Sequence, residues 1–243
     1  MKRIDIVSVK GGVGKSFIAY FLTRSLSESK KVLLLDKDLT STISKIYHIR
    51  GSLLSYLTSN SSQEYYKTLG NLTVLNFGCN HNVKSVEPTK IAEIYNVFDE
   101  NDIIIVDNPP VVSDFCFEKE MESYYIHNSI TKKTDYNFIT VLPSHQILLD
   151  ESVAFLKIFL ENYLVEFSAS HEINDIKTNV LSAVVNMYDR RSKINLSKVY
   201  YLTDKIVKLP FIEEAIFSTF DRVKKPKEID QLTSYILLSL EEM

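Results

Sequence analysis

The segment Lys10-Gly11-Gly12-Val13-Gly14-Lys15-Ser16 constrains this chain more than any other stretch. It follows the β-branched run Ile4–Val9 and precedes Ile18, Phe21, Leu22 and Leu26, which recur at helical spacing. Glycines between a strand and a helix let backbone N–H groups converge on an anion, and the helix N-terminus behind them favours negative charge. Gly11, Gly12, Val13 and Gly14 would form the cradle, and the backbone of Phe17 would close it. Lys15 would neutralise β- and γ-phosphates, and the Ser16 hydroxyl would ligate Mg²⁺. The expected ligand is ATP with Mg²⁺; the alternative is a tight turn with an exposed lysine.

The rest of the chain alternates short apolar runs with longer helical ones. Candidate strands are Ile4–Val9, Val32–Asp36, Leu72–Phe77, Asp102–Asp107, Asn137–Leu142, Val180–Asn186 and Ile206–Leu209. Most are continuously apolar, as strands buried on both faces must be. Leu149, Val153, Leu156 and Leu160 mark one helix, and Ile229, Leu232, Ile236, Leu237 and Leu240 a closing amphipathic one. The expected fold is α/β, a single P-loop NTPase domain over residues 1–243, with a mostly parallel twisted sheet flanked by helices on both faces. The tyrosine-rich, charged stretch Glu118–Asp135 reads as a surface excursion.

Several function classes drop out. At 243 residues and 45% hydrophobic the chain can bury a full core, but no run approaches the roughly 20 apolar residues of a membrane span. Its start lacks the apolar region of a secretion signal. Cys79 and Cys116 are the only cysteines and form no CxxC pair, which argues against a disulfide framework, a zinc site or a redox motif. A cytoplasmic location follows. The net charge of −3 does not advertise a nucleic-acid binder, so any such activity would need a local patch.

Two further elements carry carboxylates. Asp36 and Asp38 end the Val32–Leu35 run, where parallel strands present ligands, and alternation puts both on one face if the strand stays extended. They are either part of the phosphate site or a cap at a strand end. Ile103-Ile104-Ile105-Val106-Asp107 has the form of a Walker B strand, in which Asp107 would hold Mg²⁺ through water. Lys10, an extra ammonium in the loop, is either a second phosphate clamp or a solvated side chain.

Together these motifs resemble the deviant Walker A ATPases of the ParA/MinD family, which also includes the nitrogenase iron protein and the arsenite-pump ATPase. The nearest resemblance is to Soj-like ParA partition proteins. It implies that Lys10 reaches across a two-fold dimer to the other subunit's nucleotide. It implies that Asp38 positions the attacking water, making Lys10, Lys15 and Asp38 the catalytic set. It puts Asp36 in the magnesium shell with Ser16 and Asp107. Asn108-Pro109-Pro110 resembles the family's D-T-P-P switch, with asparagine in place of threonine. Asn128-Ser129-Ile130 with Asp135, Val141-Leu142-Pro143-Ser144, and Val184–Arg191 continue the likeness over nearly the whole chain. Asn186 and Pro210 fall where family members surround adenine, although Asn186 also suits an ordinary strand-end turn.

The chain departs from the pattern at Phe17, where a hydroxyl residue is usual, and at Leu39-Thr40, where ParA proteins carry proline and glutamine. Phe211-Ile212-Glu213-Glu214 follows Pro210 in place of arginine. Arg190, Arg191 and Lys193, with Lys224, Lys225 and Lys227, are the basic residues left for DNA, or are simply a solvated face. The implied function is a partition ATPase, a homodimer that binds non-specific DNA with ATP and is released when a ParB-type centromere-binding protein stimulates hydrolysis. Its location would be the cytoplasm, on the nucleoid when ATP-bound. The alternative is a MinD-like positioning ATPase or another dimeric regulatory ATPase without DNA binding. Two terminal acids, Glu241 and Glu242, oppose a membrane-binding end. A tyrosine autokinase is disfavoured because only Tyr235 lies near that end.

Overall fold

The computed structural model describes residues 1–59, 61–79, 85–110, 115–128, 135–163, 177–189, 191 and 193–242. The strands are β1 (Lys2–Val7), β2 (Val32–Asp36), β3 (Tyr66–Leu69), β4 (Leu72–Asn76), β5 (Ile103–Asp107), β6 (Asp135–Pro143), β7 (Lys177–Tyr188) and β8 (Ile206–Pro210). They form one sheet in the order β3-β4-β2-β5-β1-β6-β7-β8. All pairings are parallel except β3 with β4. The helices are α1 (Lys15–Leu26), α2 (Thr42–Ile46), α3 (Leu53–Ser59), α4 (Pro88–Tyr95), α5 (Phe115–Asn128), α6 (Gln146–Ile158), α7 (Glu214–Phe217) and α8 (Lys227–Glu242). The expected α/β architecture with helices on both faces is what the chain adopts.

Alternation along the strands divides the core. Ile4, Ile6, Leu34, Ile105 and Ile139 face Ile18 and Leu22 of α1 and Leu232 and Ile236 of α8. Val7, Leu35, Ile104, Val106 and Phe138 face Tyr95 of α4, Tyr124 of α5 and Leu149 of α6. Burial on both sides explains why β2 and β5 carry no polar residue before their terminal aspartates. The amphipathic stripe of α8 is spent on α1 and the sheet. Among the described residues, no helix is long and apolar enough to cross a membrane.

Three expectations need correction. β1 ends at Val7, because Ser8 and Val9 already belong to the loop. The exposed strand β3 was not expected; a turn at Gly70 (φ 60°) returns the chain to β4, and this hairpin arm carries no apolar run. The stretch read as a surface excursion is largely α5, with Glu120, Met121, Tyr124 and Tyr125 buried; residues 129–134 lie outside the described residues. The cysteines are also not independent. Cys79, after β4, and Cys116, in the first turn of α5, form a disulfide with Cα atoms 5.7 Å apart. A separation of 37 residues hid what the fold brings together.

Candidate functional site

At the carboxyl ends of the central strands lies an open cleft of about 500 Å³, a common size for a small-ligand site. Gly11, Gly12, Gly14, Lys15 and Ser16 form one wall, Asp38, Thr40 and Thr42 another, with Pro110 beside the loop. Another part of it is apolar, lined by Phe17, Met187, Pro210, Phe211, Ile212 and Phe220. The glycine loop is shaped by backbone sterics. Gly14 caps α1 in the left-handed region at φ 92°, where side chains are strained. A Cβ there would lie 2.2 Å from Asn186 Nδ2.

Asn186 therefore does more than end a strand. Its Nδ2 donates to Val13 O at 2.7 Å, so one N–H of the amide braces the loop, and the amide oxygen and the second N–H are not used in that bond. Its aim comes from an irregularity between β7 and β8 at Val185/Tyr188 and from Met187, a non-glycine residue at φ 56°. Backbone strain of this kind collects at sites the surrounding fold over-determines.

The charged residues divide sharply. Lys15 is buried, and its Nζ donates to Ser8 Oγ at 3.0 Å. Burial lowers the pKa of its ammonium, while Asp107 and Asp38 oppose that shift. Asp36 Oδ2 accepts from Ser44 N (2.8 Å) and Ser44 Oγ (2.6 Å), and Oδ1 accepts from Asp38 N (3.2 Å). Burial pushes the Asp36 carboxyl up to about 6 despite these bonds. Asp38 accepts from Thr40 Oγ1 and, at 3.2 Å, from Thr42 Oγ1. Asp107 pairs with Asp36 across the β2–β5 register, is fully buried, and has no hydrogen-bond partner on either carboxylate oxygen. Burial, then Asp36, drive its carboxyl well above the usual range; Ser16 and Lys15 act the other way.

A buried carboxylate with empty oxygens beside a phosphate-type loop fits a cation that arrives with its ligand. Among the described residues no group of three or more acids, histidines or cysteines makes a ready metal cage. Ser16 and Asp107 are the residues that could hold magnesium. Asp36 accepts from its own turn, through Ser44 and the Asp38 N–H.

Lys10 stands apart. It does not line the cleft, its side chain is half exposed, and Nζ lies 3.9 Å from Glu151 of α6. The basic residues are not one patch. Arg190 lies outside the described residues. Arg191 is exposed and clasps Asp189 through Nε (3.1 Å) and Nη2 (2.9 Å), near the cleft end of β7, and Lys193 is exposed. Lys225 instead bonds Ser25, in the last turn of α1, and Asp230. Lys224 and Lys227 are its exposed neighbours. Ser25 lies at the end of α1 away from the phosphate loop.

Sequence reasoning passed over a second cluster under α5. Arg3, Asp5, Lys37, Asn108 and Glu120 are all buried and mutually hydrogen-bonded. The available signals were a charged pair inside an apolar strand and a lysine between two site aspartates.

Proteins of similar fold are known. A protein of Borrelia burgdorferi assigned to plasmid partition, bound to AMPPNP, superposes with TM-score 0.67 at 16% identity, covering 100% of this chain and 99% of that one. MinD of Pyrococcus horikoshii with Mg-ADP gives 0.63 at 19% identity, over 96% and 93%. McdA of Cyanothece with ATP gives 0.61 at 15%, over 97% and 96%. At such identities these likenesses establish the fold. Among curated protein sequences none matches. Residues 4–230 match the family described as the CobQ/CobB/MinD/ParA nucleotide binding domain, and the chain belongs to that family.

Proposed function

We propose that this chain is a dimerising ATPase of DNA partition, working as one domain over residues 1–243. The observation that carries the nucleotide chemistry is Asp107, whose bare, buried carboxylate beside Ser16 and Lys15 is matched by a cation brought with phosphates. Bound ATP would supply the phosphoanhydride to be cleaved, and magnesium the neutralisation of its charge. The loop amides and Lys15 hold phosphate oxygens, Ser16 and Asp107 hold the metal, and Asn186 Oδ1 and Pro210 border the base. Asp38, steadied by Thr40 and Thr42, orients the attacking water. Lys10 projects away from its own cleft, as expected of a residue that serves a partner's nucleotide across a two-fold axis.

The solved partition proteins of similar fold support the partition reading, as do exposed Arg191 and Lys193 near the cleft, where pairing of two subunits would double them. The bond from Arg191 to Asp189 is solvent-exposed and readily exchanged for phosphate. Lys224, Lys225 and Lys227 sit too far away to join that surface, and we assign them no share in it. A lipid-binding role for α8 is disfavoured, since Ile229, Leu232, Ile236 and Leu240 are buried in the core. The stimulating partner would be a ParB-type protein on centromeric DNA, and the ATP dimer would sit on the nucleoid.

The test is retention on random duplex DNA and on anionic vesicles, each with ATP and with ADP. DNA retention with ATP alone is expected, weakening as salt rises. Arg191→Ala removes two contacts per dimer, so the salt slope flattens by about 2. Equal DNA binding in both nucleotide states, or vesicle binding alone, would replace partition with a MinD-like positioning role.

A further inference from the structure

The cluster under α5 is a closed circuit. Arg3 Nε and Nη2 donate to Asp5 Oδ2 (2.5 Å) and Oδ1 (2.8 Å), while Nη1 and Nη2 donate to Glu120 Oε1 (2.6 Å) and Oε2 (2.8 Å). Glu120 Oε2 also accepts from Lys37 Nζ (2.8 Å). Lys37 Nζ donates onward to Asn108 Oδ1 (3.1 Å), and Asn108 Nδ2 donates back to Asp5 Oδ1 (2.8 Å). Tyr95 of α4 adds its hydroxyl to Glu120. The two cations and two anions balance, and each of the four side chains is at most 1% exposed.

A purely structural ion cluster could sit anywhere in a core. This one touches every moving part expected of the cleft. Lys37 is the residue between Asp36 and Asp38, and its backbone N–H also donates to Asp107 O at 3.0 Å. Asn108 follows Asp107 and opens the Asn108-Pro109-Pro110 segment. Glu120 rides on α5, the helix that follows that segment. Burial forbids any member to move alone, because a stranded charge or amide in the interior is strongly unfavourable.

We propose that Lys37, Asn108 and Glu120 are positioning residues for hydrolysis, coupling α5 and the proline segment to the turn that aims Asp38. This rests on the ATPase reading above. Through the circuit, a displacement of α5 becomes a displacement of Asp38 relative to the phosphate loop. A protein that presses on α5 would therefore alter turnover with little change in nucleotide affinity. Asn108 suits this chain's Lys37 because its amide accepts from the lysine and donates to Asp5 at once. A threonine at that position has a single, shorter oxygen.

The experiment compares wild type with two variants. Lys37→Met/Glu120→Gln removes one cation and one anion, leaving Arg3 and Asp5 paired. Asn108→Ala keeps all four charges and cuts only the link between the turn and Asp5. Three quantities are read: equilibrium ATP affinity, single-turnover hydrolysis, and amide exchange without nucleotide over residues 36–38 and 106–108. In both variants affinity should stay within about threefold, while single-turnover hydrolysis drops at least about tenfold, the weight of one charge-assisted hydrogen bond. Exchange should rise over both segments together in both variants, in Asn108→Ala through the lost acceptor of Lys37 Nζ. The double variant with wild-type turnover and exchange would overturn the proposal. So would Asn108→Ala loosening only its own segment, or a double variant that fails to fold while Asn108→Ala behaves as wild type. If wild type itself does not hydrolyse ATP, the ATPase reading fails on that arm, and the exchange arm still decides whether the segments are coupled.

Discussion

Asp107 gives the most direct physical test of the site. In the folded chain its carboxyl titrates well above the usual carboxylate range, because it is buried and faces Asp36, and Ser16 and Lys15 offset this only in part. In the unfolded chain it ionises near the ordinary aspartate value of 3.8. Between these limits the folded protein holds one proton more than the unfolded one, so stability falls as pH rises, by about 1.4 kcal/mol per pH unit. That contribution is fully present below the unfolded pKa and is lost as pH climbs to the folded one. Asp36 acts in the same direction over a narrower window, from 3.8 to about 6. Other carboxylates titrate too, so the informative quantity is the difference between wild type and Asp107→Asn. Urea unfolding of the nucleotide-free proteins from pH 5 upward should show the variant gaining on wild type by about 1.4 kcal/mol per unit while Asp107 is protonated in the fold. Magnesium and nucleotide, which favour the ionised carboxylate, should release protons on binding to wild type, read by calorimetry in buffers of different ionisation enthalpy. The variant should release fewer and lose magnesium-dependent affinity. Parallel stability curves and equal proton release would refute the reasoning.

Gly14→Ala should cost about 2–4 kcal/mol, combining left-handed strain with the lost Asn186–Val13 bond, and should abolish nucleotide binding in a fluorescence titration. Asp38→Ala should keep ATP and magnesium binding but slow single-turnover hydrolysis by roughly two to four decades, seen in a quench-flow assay. Lys10→Ala should bind ATP as wild type does yet stay monomeric in light scattering; a dimer formed with ATP would exclude the cross-subunit role.

The parts of this protein that the sequence made legible are those where local chemistry is sufficient. Glycines between strand and helix define the loop whatever the rest of the chain does. Apolar runs on both sides of the core announce β2 and β5, and their terminal aspartates follow from strand direction. What stayed hidden depends on long-range pairing. Arg3, Lys37 and Glu120 are far apart in sequence, and charge in the stretch around Glu120 reads as surface until its partners are known. The same holds for Cys79 with Cys116. β3 was missed because an exposed edge strand needs no apolar run.

Asp36 and Asp107 show how one fold gives two like residues different work. They are register partners at the ends of neighbouring strands, so each raises the cost of ionising the other. The chain then turns at Asp38 into α2, and Ser44 delivers both a backbone and a side-chain donor to Asp36. Nothing comparable reaches Asp107, because the chain beyond it leaves along Asn108 into two prolines, and Pro109 and Pro110 have no N–H to donate. Asn108 itself turns its amide away, toward Asp5 and Lys37. One carboxylate thus becomes the brace of the turn that carries Asp38, and the other is left bare against Ser16 and Lys15. A bare buried carboxylate is unfavourable in an isolated fold, and the arrangement makes physical sense once a cation shares the site. Among the described residues Asp107 is the buried carboxylate left in this way, and such a site is where consistency across levels is expected to yield to function.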